Sequence, residues 1–88
     1  MKDGIKKTDK YGDQYWSNKN KQYHRINNKP AIAYKDGYRE CYYINGDRHR
    51  TNGPAVICPI HIEYWFNGIQ QKSPDKETLW ICNKVELI

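Results

Sequence analysis

The sequence predicts an all-β fold: a meander of stacked β-hairpin repeats forming one twisted antiparallel sheet, with a short C-terminal helix or strand as its cap. Three observations predict it. Three stretches align as aromatic-aromatic-x-Asn-Gly/Lys, namely Tyr15-Trp16-Ser17-Asn18-Lys19, Tyr42-Tyr43-Ile44-Asn45-Gly46 and Tyr64-Trp65-Phe66-Asn67-Gly68. The first two are followed by His24-Arg25 and His49-Arg50, and then by Pro30-Ala31 and Pro54-Ala55. The apolar content is strongly aromatic, with eight Tyr, three Trp and one Phe, rings that build a thin core with wet polar edges. Self-similarity at this period marks a supersecondary unit that buries its apolar face only against its neighbours.

Taken along the chain, residues 1–12 read as a basic N-terminal arm carrying Lys2, Lys6, Lys7 and Lys10, either a source of general electrostatic attraction or a solubilising tail. Repeats follow over residues 13–36, 37–60 and a truncated 61–72. The first copy replaces the turn Gly with Lys19 and carries extra residues before His24 and before Pro30, so its turn is looser. Such drift belongs in loops, where insertions disturb no ladder. Residues 31–34 form a strand closed by the Asp36-Gly37 turn. Residues 39–44 are rich in β-formers, Asn45-Gly46 supplies the two positive-φ positions of a type I′ turn, and residues 47–50 return. Thr51-Asn52-Gly53-Pro54 is a turn, after which residues 55–58 and 61–66 make the next two strands, with Asn67-Gly68 repeating the hairpin signal. Roughly seven or eight short strands are expected. Ser73-Pro74-Asp75 is a helix-start signature, although residues 78–82 read equally as a last strand. A cap over residues 73–88 would cover an apolar end and an unpaired edge.

Size and charge bound the function. At 88 residues the chain has room for one domain and little room for a deep, dry catalytic cavity. The formal charge of +5 favours anionic partners: nucleic acid, nucleotides or an acidic protein surface. Cys41, Cys58 and Cys82 are odd in number and lack CxxC spacing, so they read as reduced thiols in a cytoplasmic protein. No stretch has the length and apolarity of a membrane span or a signal peptide.

The pattern Trp/Tyr-x-Asn-Gly-x-x-His-Arg-x-x-Gly-Pro-Ala, best matched from Tyr43 to Ala55, resembles MORN-variant-type repeats of tailed bacteriophages, prophages and giant DNA viruses. The resemblance covers Tyr15 to about Gly68 and is degraded in the first copy, where Lys29 stands in place of Gly. It implies strings of β-hairpins that act as binding modules, and a phage accessory protein directed at a host protein.

Repetition puts the His-Arg pairs on equivalent spots. His24, Arg25, His49 and Arg50, with Arg48, are candidate clamps for phosphate or carboxylate; the alternative is a His packed on an aromatic ring and an Arg solvated or paired with Asp47. Trp16, Tyr43 and Trp65 recur in register and are read as core, with Pro30 and Pro54 as structural turn residues. Their neighbours Tyr15, Tyr42 and Tyr64 point to the other side of a pleated strand, so Tyr42 and Tyr64 are candidate binding residues. Cys41 or Cys58 with His49 or His61, or His49 with His61, lack an orienting third group, and a zinc site from Cys41, Cys58, Cys82 and a His needs distant segments to converge. The expectation is a non-enzymatic, cofactor-free binding or inhibitory module for a host protein in the cytoplasm. Its alternative is a binder of nucleic acid or a nucleotide. Neither involves a membrane, and an open strand edge suits a homodimer.

Overall fold

The computed structural model describes residues 1–73, which form nine strands and no helix. They are β1 (Ile5–Thr8), β2 (Gln14–Ser17), β3 (Ile32–Ala33), β4 (Glu40–Cys41), β5 (Tyr43–Ile44), β6 (Asp47–Arg48), β7 (Val56–Cys58), β8 (His61–Phe66) and β9 (Ile69–Gln71). Seven of them make an antiparallel sheet in the order β1-β2-β3-β4-β7-β8-β9, while β5 and β6 pair with each other outside it. The expected cap falls, apart from Ser73, outside the described residues, as does the helix-or-strand reading of residues 74–82.

The expected single strand over residues 39–44 is broken at Tyr42. Its N–H donates to Ala55 O at 2.7 Å, and its carbonyl accepts from His49 N–H at 3.1 Å. The chain therefore leaves β7 at Tyr42 and turns to pair with its own return strand. Trp16 does the same: its N–H donates to Ala31 O at 2.8 Å and its carbonyl accepts from His24 N–H at 2.9 Å. Trp16 is thus equivalent to Tyr42, not to Tyr43. The first copy has one residue between this position and its turn Asn, whereas the second has two, which shifts the alignment read from sequence by one.

The repeats are joined by a three-bond clasp. Gly46 N–H donates to Tyr23 O at 2.9 Å, Asn45 N–H donates to the Nδ1 of His24 at 2.9 Å, and Arg25 N–H donates to Tyr43 O at 3.1 Å. One repeat later, Gly68 N–H donates to Arg48 O at 2.9 Å, Asn67 N–H to the Nδ1 of His49 at 3.0 Å, and Arg50 N–H to Trp65 O at 3.1 Å. Both turns have the left-handed pair that type I′ requires, with φ of 46° and 87° at Asn45-Gly46 and 48° and 79° at Asn67-Gly68. β9 continues the pattern past the point where the sequence motif stops, because Tyr64 pairs with Gln71 as Tyr42 bonds His49. Gln71, 4% exposed, therefore stands in the His position.

The core is one row across the sheet. Extending the β2–β3 and β3–β4 registers by one residue sets Ala31 between Trp16 and Tyr42, and the next pairs set Ala55 between Tyr42 and Tyr64. Large and small side chains alternate, which lets the rings lie flat with the alanines, both fully buried, beneath them. On the other face Ile32, Cys41 and Val56 run side by side.

Two expectations fail here. The basic arm expected over residues 1–12, outside the repeats, instead supplies a strand of the sheet: β1 pairs with β2 from Ile5↔Ser17 to Thr8↔Gln14, taking the place that β3 and β7 take in the later repeats. β1, exposed along its length, is thereby an edge of the sheet. Tyr42, expected on the outward row, is 8% exposed, while Tyr43 and Trp65, expected in the core, are half-buried. The register offset at Trp16 is the reason.

Gly46 sits at φ 87°, where an added Cβ meets only the flexible Gln22 side chain, 3.3 Å away. Gly46→Ala should therefore cost about 1–2 kcal/mol through backbone strain alone, read as a lower urea midpoint with an unchanged slope.

Candidate functional site

The two repeated arginines lie flat on the two repeated rings. The Arg25 guanidinium carbon is 3.6 Å from the Trp16 ring centre, and that of Arg50 is 3.9 Å from the Tyr42 ring centre. Each then donates from Nη1 to the carbonyl of the next repeat Pro, Arg25 to Pro30 O and Arg50 to Pro54 O, both at 3.1 Å. These contacts replace the expected Asp47 pairing: a stacked, carbonyl-bonded guanidinium caps the ring row and leaves Asp47 exposed at the turn.

Between the arginines lies a groove of about 470 Å³ lined by Arg25, Lys29, Tyr42, His49, Arg50 and Asn67, among others, and, among the described residues, by no Asp or Glu. One wall is the loop between Arg25 and Pro30. Asn27 and Asn28 are both left-handed there, with φ of 64° and 56°, and Asn28 Oδ1 accepts from Arg50 Nε at 2.8 Å. Counting three residues back from the equivalent positions Lys6 and Ala31 makes Asp3 the counterpart of Asn28. Asp3 uses Oδ1 to accept from Gly4 N–H and Ile26 N–H instead, at 2.8 and 3.0 Å. Arg25 Nε is consequently buried without a partner among the described residues.

The two histidines differ. His24 is 1% exposed, accepts from Asn45 N–H at Nδ1, and donates from Nε2 to Lys2 O at 2.6 Å. With both ring nitrogens engaged and its ring sealed in, it cannot serve as the anion clamp the sequence suggested. His49 is half-buried against Phe66, ring centres 4.8 Å apart, and lines the groove. Because its Nδ1 accepts from Asn67 N–H, its proton is on Nε2, which has no partner among the described residues. Burial holds the His49 pKa below its usual 6.5, against a smaller opposing pull from Asp47.

Of the sequence candidates, Arg25, Tyr42, His49 and Arg50 come together in the groove. Arg48 does not join them. It lies on the opposite face, where its Nε donates to Tyr43 OH at 3.2 Å, its Nη1 is 3.5 Å from Glu63, and its guanidinium is 5.0 Å from the Trp65 ring centre. Burial raises the Glu63 pKa, but hydrogen bonds from His61 and Trp65 and the Arg48 charge outweigh it and hold the carboxyl below its usual value. The Arg48 charge is therefore answered on that face by Glu63. Tyr23 continues the face, its ring stacked 6.2 Å from Tyr15 and tilted 48° at 5.3 Å from Tyr43. Tyr64 is half-buried at the end of the ring row.

Lys29, Asn28 and Asn67 line the groove although the sequence did not mark them as binding residues, and the Asn27-Asn28 dipeptide, a left-handed signal, was the cue available. Cys58 Sγ donates to His61 O at 3.2 Å while the His61 ring bonds Glu63 at 2.7 Å, so that thiol and that imidazole do not face each other as a nucleophile and base would. Among the described residues no three metal-ligating side chains gather, and no helix is long and apolar enough to cross a membrane. Comparison with protein-family models, curated proteins and solved structures finds no match for the chain.

The folded state prefers neutral His49, so on acidification the unfolded chain takes up its proton first. Stability is full above the unfolded value of 6.5 and is lost as pH falls through it toward the folded one. Unfolding free energy measured in urea should therefore drop between about pH 7 and pH 5. His49→Asn, which keeps an acceptor for Asn67 without a titrating group, should drop less.

Proposed function

We propose that the chain is a non-enzymatic binding module whose partner presents an acidic protein surface to the groove between Arg25 and Arg50. One observation carries the reading: three cations and a histidine line a groove that, among the described residues, has no carboxylate in its lining. Arg48, by contrast, sits 3.5 Å from Glu63. A protein partner suits the site better than a base-stacking one, because both rings of the Arg row are already covered by guanidinium groups. The resemblance to phage-borne hairpin repeats supports a narrower version, in which the partner is a host protein that an accessory chain binds and inhibits in the host cytoplasm.

A second reading has its own support. On the opposite face Tyr15, Tyr23 and Tyr43 make a graded ring ladder beside Lys7, the cross-strand neighbour of Tyr15, and such a surface suits single-stranded nucleic acid.

The arginines are poor test sites, since reversing them would uncover Trp16 and Tyr42. Lys29 is exposed, so Lys29→Glu should leave the melting temperature unchanged while weakening binding of labelled polyglutamate by about threefold to tenfold in fluorescence anisotropy. Tighter binding of a single-stranded oligonucleotide than of polyglutamate, insensitive to Lys29→Glu, would transfer the function to the tyrosine face.

A further inference from the structure

The first repeat shows what its His-Arg edge accepts. The chain's own Lys2 carbonyl takes the proton of His24 Nε2, and the next residue, Asp3, takes the Ile26 N–H on its carboxylate. In the second repeat the same two donors are His49 Nε2–H and the N–H of Thr51, the residue after Arg50, and both residues line the groove. The segment that should satisfy them is the counterpart of Lys2-Asp3, namely Asn27-Asn28. Its two left-handed residues turn it away, and the Asn28 side chain bonds Arg50 Nε instead. Neither His49 Nε2 nor Thr51 N has a partner among the described residues. The groove volume, about 470 Å³, lies within the range of about 300–1,000 Å³ usual for ligand sites.

We propose that the groove receives an extended segment of the protein partner with an Asp in it, the carbonyl before the Asp accepting from His49 Nε2 and the Asp carboxylate accepting from Thr51 N–H beside Arg50. The inference rests on the binding-module reading and deepens it by naming a backbone carbonyl followed by a short acid as the recognised element. Asp is favoured over Glu because the internal precedent spans one backbone step with one methylene. Arg50 adds charge without moving, since its stack on Tyr42 and its bonds to Asn28 and Pro54 already fix it.

The test is an NMR titration of the full chain with the blocked tripeptide acetyl-Ala-Asp-Ala-amide, with its Asn and Glu analogues, and with inorganic phosphate. Saturable shifts at Thr51 N–H and the His49 ring are expected, with the Asn analogue about tenfold weaker, as one charge-assisted hydrogen bond implies. His49→Asn should weaken the Asp peptide similarly, with Asn67 N–H still protected from hydrogen exchange. Equal affinity of Asp and Asn peptides, shifts confined to other surfaces, or full binding by His49→Asn would overturn the inference. Shifts at the same atoms with phosphate but not with the peptide would also overturn it, in favour of a phosphate site. Polyglutamate binding that stays sensitive to Lys29→Glu in those cases would leave the binding-module reading standing, whereas loss of both would remove the two together.

Discussion

Everything in this fold depends on a histidine ring accepting the backbone N–H of the next hairpin's turn. Among the described residues the buried apolar side chains are Trp16, Ala31, Cys41, Tyr42, Ala55 and Val56, too few to hold a string of two-stranded hairpins by area alone. The clasp supplies what the core lacks. It requires a neutral imidazole with a free Nδ1, and a turn whose first residue is left-handed so that its N–H points outward. Asn is the residue type that tolerates this conformation most readily while Gly follows it, so the Asn-Gly and His motifs are two halves of one contact. His24 and Asn45, separated in sequence by 21 residues, are constrained together in the way a cross-strand pair would be.

The second constraint is the lid over the rings. Trp16 and Tyr42 lie on the sheet with alanines beside them, and a two-layer core would need another sheet or helix on top. Arg25 and Arg50 take that part: the guanidinium planes cover the rings, and the Pro carbonyls satisfy one donor of each. Part of the basic character read from composition is therefore structural, although most of it is carried by lysines. The net charge of +5 overstates what is offered to a partner, since the arginines are held and Arg48 is answered by Glu63. The groove matters because it gathers Arg25, Lys29 and Arg50 with no Asp or Glu in its lining among the described residues.

The hairpins were legible because Asn-Gly fixes a turn type from two residues, and the antiparallel meander followed from short local connections. Assignment of Trp16 to the row of Tyr43 was not legible correctly. Aromatic pairs look alike in all three copies, and the missing residue between Trp16 and Asn18 is invisible until hydrogen bonds show which carbonyl each ring residue faces. The strand character of residues 5–8 was hidden for a different reason: Ile-Lys-Lys-Thr has no motif of its own and pairs because β2 offers an edge. For the site, repetition pointed to the His-Arg pairs, of which Arg25, His49 and Arg50 line the groove while His24 is buried. It could not separate His24 from His49, because the difference lies in what the preceding loop does.

That difference has a simple origin in loop length. Four residues separate Arg25 from Pro30 and three separate Arg50 from Pro54, yet both arginines reach the same Pro carbonyl. The longer loop must shed one residue outward, and it does so through the left-handed Asn27-Asn28 pair. In the shorter loop Gly53 lies against the arginine, where an added Cβ would come within 3.0 Å of the Arg50 guanidinium carbon. Lys29 stands at the corresponding place in the longer loop and lines the groove instead. A single inserted residue thus removes the acceptors that would cover His49 and Thr51, opens the groove, and brings a cation to its wall. In a repeat array identical units satisfy one another, so a site arises where one unit departs from the rest, and this loop is such a departure.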